Sequence, residues 1–172
     1  MKYFLPFILL LSACSGTNID TYSSTQPALD LRTFLQGDLM AYGMLQDRSG
    51  RMTRRFVATL QASWVGETGT LVEQFHFDDG EVQARTWIIT HLGNGQYSGT
   101  AGDVVGEARG KIAGSVFQLQ YQLNVPWNDG AIVVNLDDWL YLIDDRHLIN
   151  KTTLTKFGFR VGELTLVIEK QG

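Results

Sequence analysis

The chain has 172 residues, 44% of them hydrophobic and 19% charged, with a formal net charge of −4. That length and balance fit one globular domain with a sizeable core rather than two. A mildly acidic chain lacks the basic field that nucleic acid or anionic lipid requires, so neither is expected as a charge-driven partner. Four tryptophans, six tyrosines and nine phenylalanines point instead to a β-rich body with much aromatic packing.

The first residues read as an export signal. Lys2 supplies a positive start, and Phe4 to Leu11 form an apolar run of signal-peptide length, too short to span a bilayer. Leu11-Ser12-Ala13-Cys14 follows, and Cys14 is the only cysteine, so the chain forms no internal disulfide and the thiol has no structural partner. This tetrad resembles the lipobox of bacterial lipoproteins. The resemblance implies that Leu11, Ser12 and Ala13 are recognised by the lipoprotein signal peptidase, and that Cys14 takes a diacylglycerol before cleavage. An ordinary secretory peptide with an incidental cysteine is the alternative. Loss of residues 1–13 removes Lys2 and no acid, so the exported chain is more acidic by one charge. Two or more acyl chains make attachment durable, since each buried CH2 contributes about 0.8 kcal/mol. Ser15, in place of an aspartate, resembles the sorting pattern of outer-membrane lipoproteins facing the periplasm. Residues 14–26, rich in Ser, Thr and Asn after Cys14, read as a lipidated flexible tether, and 27–172 as a single domain.

That domain opens with a helix. Pro27 suits a first helical turn, Ala28, Leu31, Phe34 and Leu35 share one face, and Gly37 is placed to end it. Period-two alternation then takes over. Along Met52 to Trp64, the residues Phe56, Ala58, Leu60 and Ala62 share a face opposite Arg55, Thr59, Gln61 and Ser63. Phe117, Leu119, Tyr121, Leu123 and Val125 alternate equally cleanly with polar residues, and Leu164, Leu166 and Ile168 repeat the pattern. Turn signals recur at Asp47 to Gly50, Gly66 to Gly69, Asp78 to Gly80, Gly93 to Gly95, Gly110, Asn128 to Gly130 and Asp144 to Arg146. Consecutive hairpins with no room for crossover helices imply about eight to ten antiparallel strands, and so many strands are best accommodated by closure into an up-and-down barrel. A β-sandwich is the alternative. An outer-membrane barrel would turn its apolar face to lipid, whereas the leading helix and small size favour an apolar interior.

Asp137-Asp138 is the most unusual dipeptide, because paired aspartates disfavour strand yet sit within the run Ile132 to Ile143. Parity places Asp138 with Val134, Leu136 and Leu140, and a carboxylate on an apolar face must be paired, hydrogen-bonded or protonated. Asp138 is therefore either a ligand-contacting or acid/base group or part of a structural ion pair. Asn150 and Lys156, on the expected partner strand, are candidates to satisfy Asp137 or Asp138. Trp139 completes that segment, and Asp103 is either a turn residue or a site residue.

Arg85 and Trp87 depend on the register of the preceding hairpin. A two-residue turn aligns Phe75 with Ala84 and Phe77 with Val82, and burial favours it. A three-residue turn with Gly80 left-handed sets Glu73 against Arg85 and Leu71 against Trp87. The histidines at 76, 91 and 147 lack metal-ligand spacing, and no metal or other cofactor is expected. No nucleophile elbow, dinucleotide fingerprint or catalytic triad is visible.

An ordered series spans residues 30 to 170: Phe34-Leu35-x-Gly37, Arg54-Arg55-Phe56, Glu73-x-Phe75, Arg85-x-Trp87, Tyr97 through Gly106, Asp137-Asp138-Trp139 and Asn150 to Gly158. With the lipobox, this series resembles a bacterial lipoprotein family catalogued as domain of unknown function 3833, which implies no particular activity. A looser similarity is to the calycin group, including lipocalins, in which a short helix leads into a barrel around a ligand cavity. Leu39 stands where the lipocalin signature has tryptophan.

The sequence thus predicts a tethered binding protein whose barrel holds a lipid or other apolar small molecule. Two alternatives remain. One is an enzyme on an apolar substrate, with Asp138 and either Arg85 or Lys156 at the barrel mouth; the other is an assembly lipoprotein with an exposed apolar patch and no cavity.

Overall fold

A computed structural model describes residues 16–127 and 129–172; Leu11, Ser12, Ala13 and Cys14 lie outside them. Ten strands follow one another: β1 (Gly37–Asp47), β2 (Met52–Val65), β3 (Thr68–Phe77), β4 (Val82–Gly93), β5 (Gln96–Thr100), β6 (Val104–Ala113), β7 (Val116–Trp127), β8 (Gly130–Leu142), β9 (His147–Lys156) and β10 (Phe159–Lys170). Each pairs antiparallel with the next, and β1 closes on β10, so the expected up-and-down barrel forms with no free edge.

Alternation sets the inside. Along β2, Phe56, Ala58, Leu60 and Ala62 are buried, while Arg55, Thr59, Gln61 and Ser63 are exposed. The apolar face is therefore the inner one.

Antiparallel order gives the barrel two unlike ends. The turns after β2, β4, β6 and β8 share the end at which the chain enters β1, and a helix closes it. This helix, α1 (Leu31–Phe34), is a single turn rather than the longer element expected from Pro27 to Leu35. Leu29 N–H is committed to the Gly114 carbonyl at 2.8 Å, which holds the chain extended up to Asp30. The Asp30 carboxylate then caps the helix, accepting from Arg32 N–H at 3.0 Å and Thr33 Oγ1 at 2.9 Å. Consequently Leu29 is buried in place of Ala28, which is exposed, while the rest of the expected face, Leu31, Phe34 and Leu35, is buried. Leu31 is fully buried as a floor, and Trp64 Nε1 donates to the Leu35 carbonyl at 2.8 Å, fastening the floor to the wall.

Residues 19–26, expected within the tether, are also docked at this end. Ile19–Tyr22 form a 3-10 turn, with Ile19 buried against Ala113 and Val116. Thr25 Oγ1 accepts from Ser115 N–H at 2.9 Å. Tyr22 packs against Trp139 and Tyr141, with ring centroids 6.1 and 6.0 Å away, so two apolar side chains and the Thr25 hydrogen bond together hold the segment.

One expected turn residue lies well inside a strand. Gly110 lies within β6, where a Cβ would collide with the Phe117 ring, so it is a notch for that ring; the turn itself is at Gly114 and Ser115.

Candidate functional site

The barrel interior is incompletely filled. A cavity of about 320 Å3 opens at the end opposite α1, and Phe56, Leu60, Leu119, Tyr121, Leu140 and Leu166 line it rather than close it. At its mouth Phe56 meets Phe75 and Phe77 edge-on, with ring centroids 5.3 and 5.5 Å away. The Arg54 guanidinium lies 3.7 Å from the Phe77 ring centroid and pairs with Asp79 and Glu81. Trp127, Phe157 and Phe159, in the neighbouring turns of the same end, are 59%, 85% and 75% exposed.

The polar part of the site depends on the β3–β4 register. The turn is the three-residue form, with Gly80 at φ 88° and Glu73 opposite Arg85, not the two-residue form that burial favoured. Local turn chemistry explains the difference. Asp79 Oδ1 accepts from Glu81 N–H at 3.0 Å, and Asp78 Oδ1 accepts from Arg55 N–H on β2 at 3.2 Å. Since a one-residue slip reverses every side chain on β4, this register carries Arg85 and Trp87 into the lumen.

Inside, Arg85 grips Asp103 through both Nε and Nη2, at 3.0 and 2.7 Å from Oδ2. Its Nη1 lies 4.0 Å from Glu73 Oε2, too far for a hydrogen bond. Burial therefore dominates at Glu73 and raises its carboxyl to about 7, because Arg85, whose charge opposes that rise, is already engaged; Asp138 and Asp103 push it further upward. Arg85 stays charged: burial works against its charge, but Glu73, Tyr121 and Asp103 outweigh it.

Asp138 projects from β8 into the lumen at 7% exposure, as parity predicts, with Thr152 opposite it on β9. Burial raises its carboxyl to about 6; the hydroxyls of Thr152 and Tyr121 and the Arg85 charge oppose the rise without cancelling it. Tyr121 is itself pushed well above its ordinary value by burial and by Asp138, so it remains a neutral donor. Trp87 sets its ring edge-on to Tyr121, centroids 5.3 Å apart. Asn150, on β9, is buried and also lines the cavity.

Glu73, Arg85, Trp87, Asp103, Asp138 and Asn150 thus converge on one cavity. Asp137 and Trp139 do not: they face outward, where Asp137 accepts from Gln118 Nε2 at 2.7 Å and Trp139 Nε1 at 3.0 Å. Lys156 donates to the Val133 carbonyl at 2.5 Å and does not satisfy either aspartate, which corrects the pairing expected from the hairpin. The β8–β9 register places it beyond Thr155, itself opposite Asn135. Thr152 and the Tyr121 hydroxyl are site groups that pattern reading missed. The even-number parity shared with Asn150 is the signal that places Thr152 inside.

Comparison with known proteins places the fold. An S-type phycobiliprotein lyase, CPES, from Guillardia theta is similar with a TM-score of 0.57 at 5% identity, over 81% of this chain and 90% of that one. Rv2717c from M. tuberculosis is similar with a TM-score of 0.59 at 17% identity, over 86% of this chain and 99% of that one. At such identities the likeness shows a shared calycin-like barrel. Among curated proteins none matches this chain by sequence. Residues 8–170 match the family described as protein of unknown function (DUF3833), and the chain belongs to that family.

Proposed function

We propose that this protein is a lipid-anchored binding protein of the bacterial envelope, whose barrel holds a lipid or other apolar small molecule. The observation that carries the reading is the cavity of about 320 Å3, walled mainly by leucine and phenylalanine, with an open mouth. A barrel needing only to be stable would fill that space with side chains, because unfilled volume forfeits packing energy. Native mass spectrometry of the protein purified from its own host tests the reading: a co-purifying small molecule supports it, and bare protein from several preparations counts against it.

The envelope part of the reading rests on Leu11-Ser12-Ala13-Cys14, and Ser15 favours the outer membrane. Radiolabelled palmitate incorporated by the wild type and absent from Cys14→Ser tests the anchor, and membrane fractionation tests the address.

An enzymatic reading is favoured by one observation, the two carboxyls at Glu73 and Asp138 raised to about 7 and about 6 beside an apolar cavity. It requires a turnover that Asp138→Asn abolishes.

A further inference from the structure

Donors and acceptors are unbalanced around the cavity. Among the described residues Glu73 Oε2, Asp138 Oδ1 and Asn150 Oδ1, all on lining residues, have no well-aligned hydrogen-bond partner, nor does the Thr152 hydroxyl beside Asp138; the one donor in the same position, Arg54 Nε, lies 2.8 Å from Asp79 Oδ2 at the mouth. Asp138 and Asn150 are each 7% exposed and Thr152 is 2% exposed, so these groups are withdrawn from bulk water. The cations are partly engaged. Arg85 directs Nε and Nη2 to Asp103, with Nη1 4.0 Å from Glu73 Oε2, and Arg54 pairs at the mouth with Asp79 and Glu81. A buried acceptor without a donor loses its hydration uncompensated, so several facing one lumen form a site for hydrogen-bond donors.

Charge points the same way. With every group ionised, Glu73, Asp103 and Asp138 outnumber Arg85 in the polar band. A carboxylate ligand would meet that excess. β3 and β8 stand on opposite sides of the closed sheet, so Glu73 and Asp138 approach a ligand head from two directions.

Resting on the reading that the barrel binds an apolar small molecule, we infer that the ligand is an amphiphilic cation. Its ammonium or amidinium head is held between Glu73, Asp138 and Asn150, and its apolar body lies along Phe56, Phe75 and Phe77 toward the mouth. At about 30 Å3 for a group the size of water, 320 Å3 holds on the order of ten heavy atoms. A medium-chain amine fits that size.

Binding exchanges charge for charge. The amine enters protonated, and each carboxyl that is neutral in the empty cavity releases its proton to solvent as the ammonium arrives. Glu73 faces Arg85, Asp103, Asp138 and Trp87; Asp138 faces Arg85, Tyr121 and Thr152, with Asp137 behind it. Arg85 keeps its charge throughout, so the two raised carboxyls account for the proton release.

The test compares dodecylamine, dodecanol and dodecanoate with the full chain, followed by tryptophan fluorescence and calorimetry. The amine is expected to bind at least about tenfold more tightly than the alcohol, with dodecanoate weakest. In Glu73→Gln/Asp138→Asn the preference for amine over alcohol disappears; both changes keep side-chain shape and remove a buried acid. Glu107→Gln/Asp145→Asn, which removes two exposed carboxylates, leaves the preference intact and controls for non-specific attraction. Dodecanoate binding as tightly as the amine, or equal binding of all three, overturns the cation inference while the apolar-cavity reading survives. If none of the three binds, dodecanol included, both fall.

Discussion

Glu73 and Arg85 are direct cross-strand partners, yet 4.0 Å separates Oε2 from Nη1 because the guanidinium is drawn toward Asp103. The ion pair that the register alone would suggest is therefore loose, and the carboxyl is left to its desolvation. Because burial raises it from 4.5 to about 7, the folded protein holds this proton more tightly than the unfolded chain does. Between those two values stability falls as pH rises, and above them the loss is complete. Glu73→Gln should therefore match the wild type near about pH 4 and exceed it by roughly 1–3 kcal/mol at about pH 8 in urea unfolding. A difference that does not change with pH contradicts the assignment.

Removing the guanidinium exposes a different dependence. Arg85→Met leaves Asp103 without its bidentate partner and Glu73 without a cation, and should destabilise by about 1–3 kcal/mol, moderated by solvent at the mouth. In the double variant Arg85→Met/Asp103→Asn part of that loss returns. A double-mutant cycle measures the coupling, and strict additivity would mean that the pair contributes nothing.

Gly110 faces the Phe117 ring with no room for a methyl group. Gly110→Ala should cost about 1–3 kcal/mol through overpacking, and Phe117→Leu in the same chain should recover part of it by withdrawing the ring. Thermal unfolding of the three variants checks the order.

Docking of the N-terminal segment predicts protection. Limited proteolysis should leave residues 19–30 intact in the wild type and cut them in Ile19→Ser, which loses the buried side chain against Ala113 and Val116. Equal cutting in both proteins would show that the segment is not held through Ile19.

The barrel was readable because period-two alternation over Phe56 to Ala62 and Phe117 to Val125 is a global signal, repeated on strand after strand. Asp138 was readable for the same reason: parity puts it inside whatever surrounds it. What parity cannot supply is the relation between strands. Arg85 and Trp87 reached the lumen only because Asp78, Asp79 and Gly80 form a three-residue turn, in which Gly80 N–H donates to the Phe77 carbonyl and Asp79 Oδ1 accepts from Glu81 N–H, a local preference that outweighed apolar pairing of Phe75 with Ala84. The partnership of Arg85 with Asp103, eighteen residues apart, follows from the β4–β5 register, in which Ile88 faces Thr100 and the extension of the pairing brings Asp103 opposite Arg85; alternation along either segment alone does not supply that register. Tyr121 was visible as a core aromatic, but its hydroxyl acquired a role only when β7 was set beside β8.

Anchorage at Cys14 would give the docked Ile19 a geometric consequence. Four residues would lie between the anchored position and the first buried side chain. Even fully extended, that leash reaches no more than about 17 Å. The barrel would then ride close to the bilayer on its plugged end, with the aromatic mouth held a strand's length out into the aqueous space. Cargo would pass to and from soluble carriers or an opposing surface rather than straight out of the leaflet in which the anchor sits. Lengthening the leash by a dozen residues, with the barrel untouched, would separate the two routes.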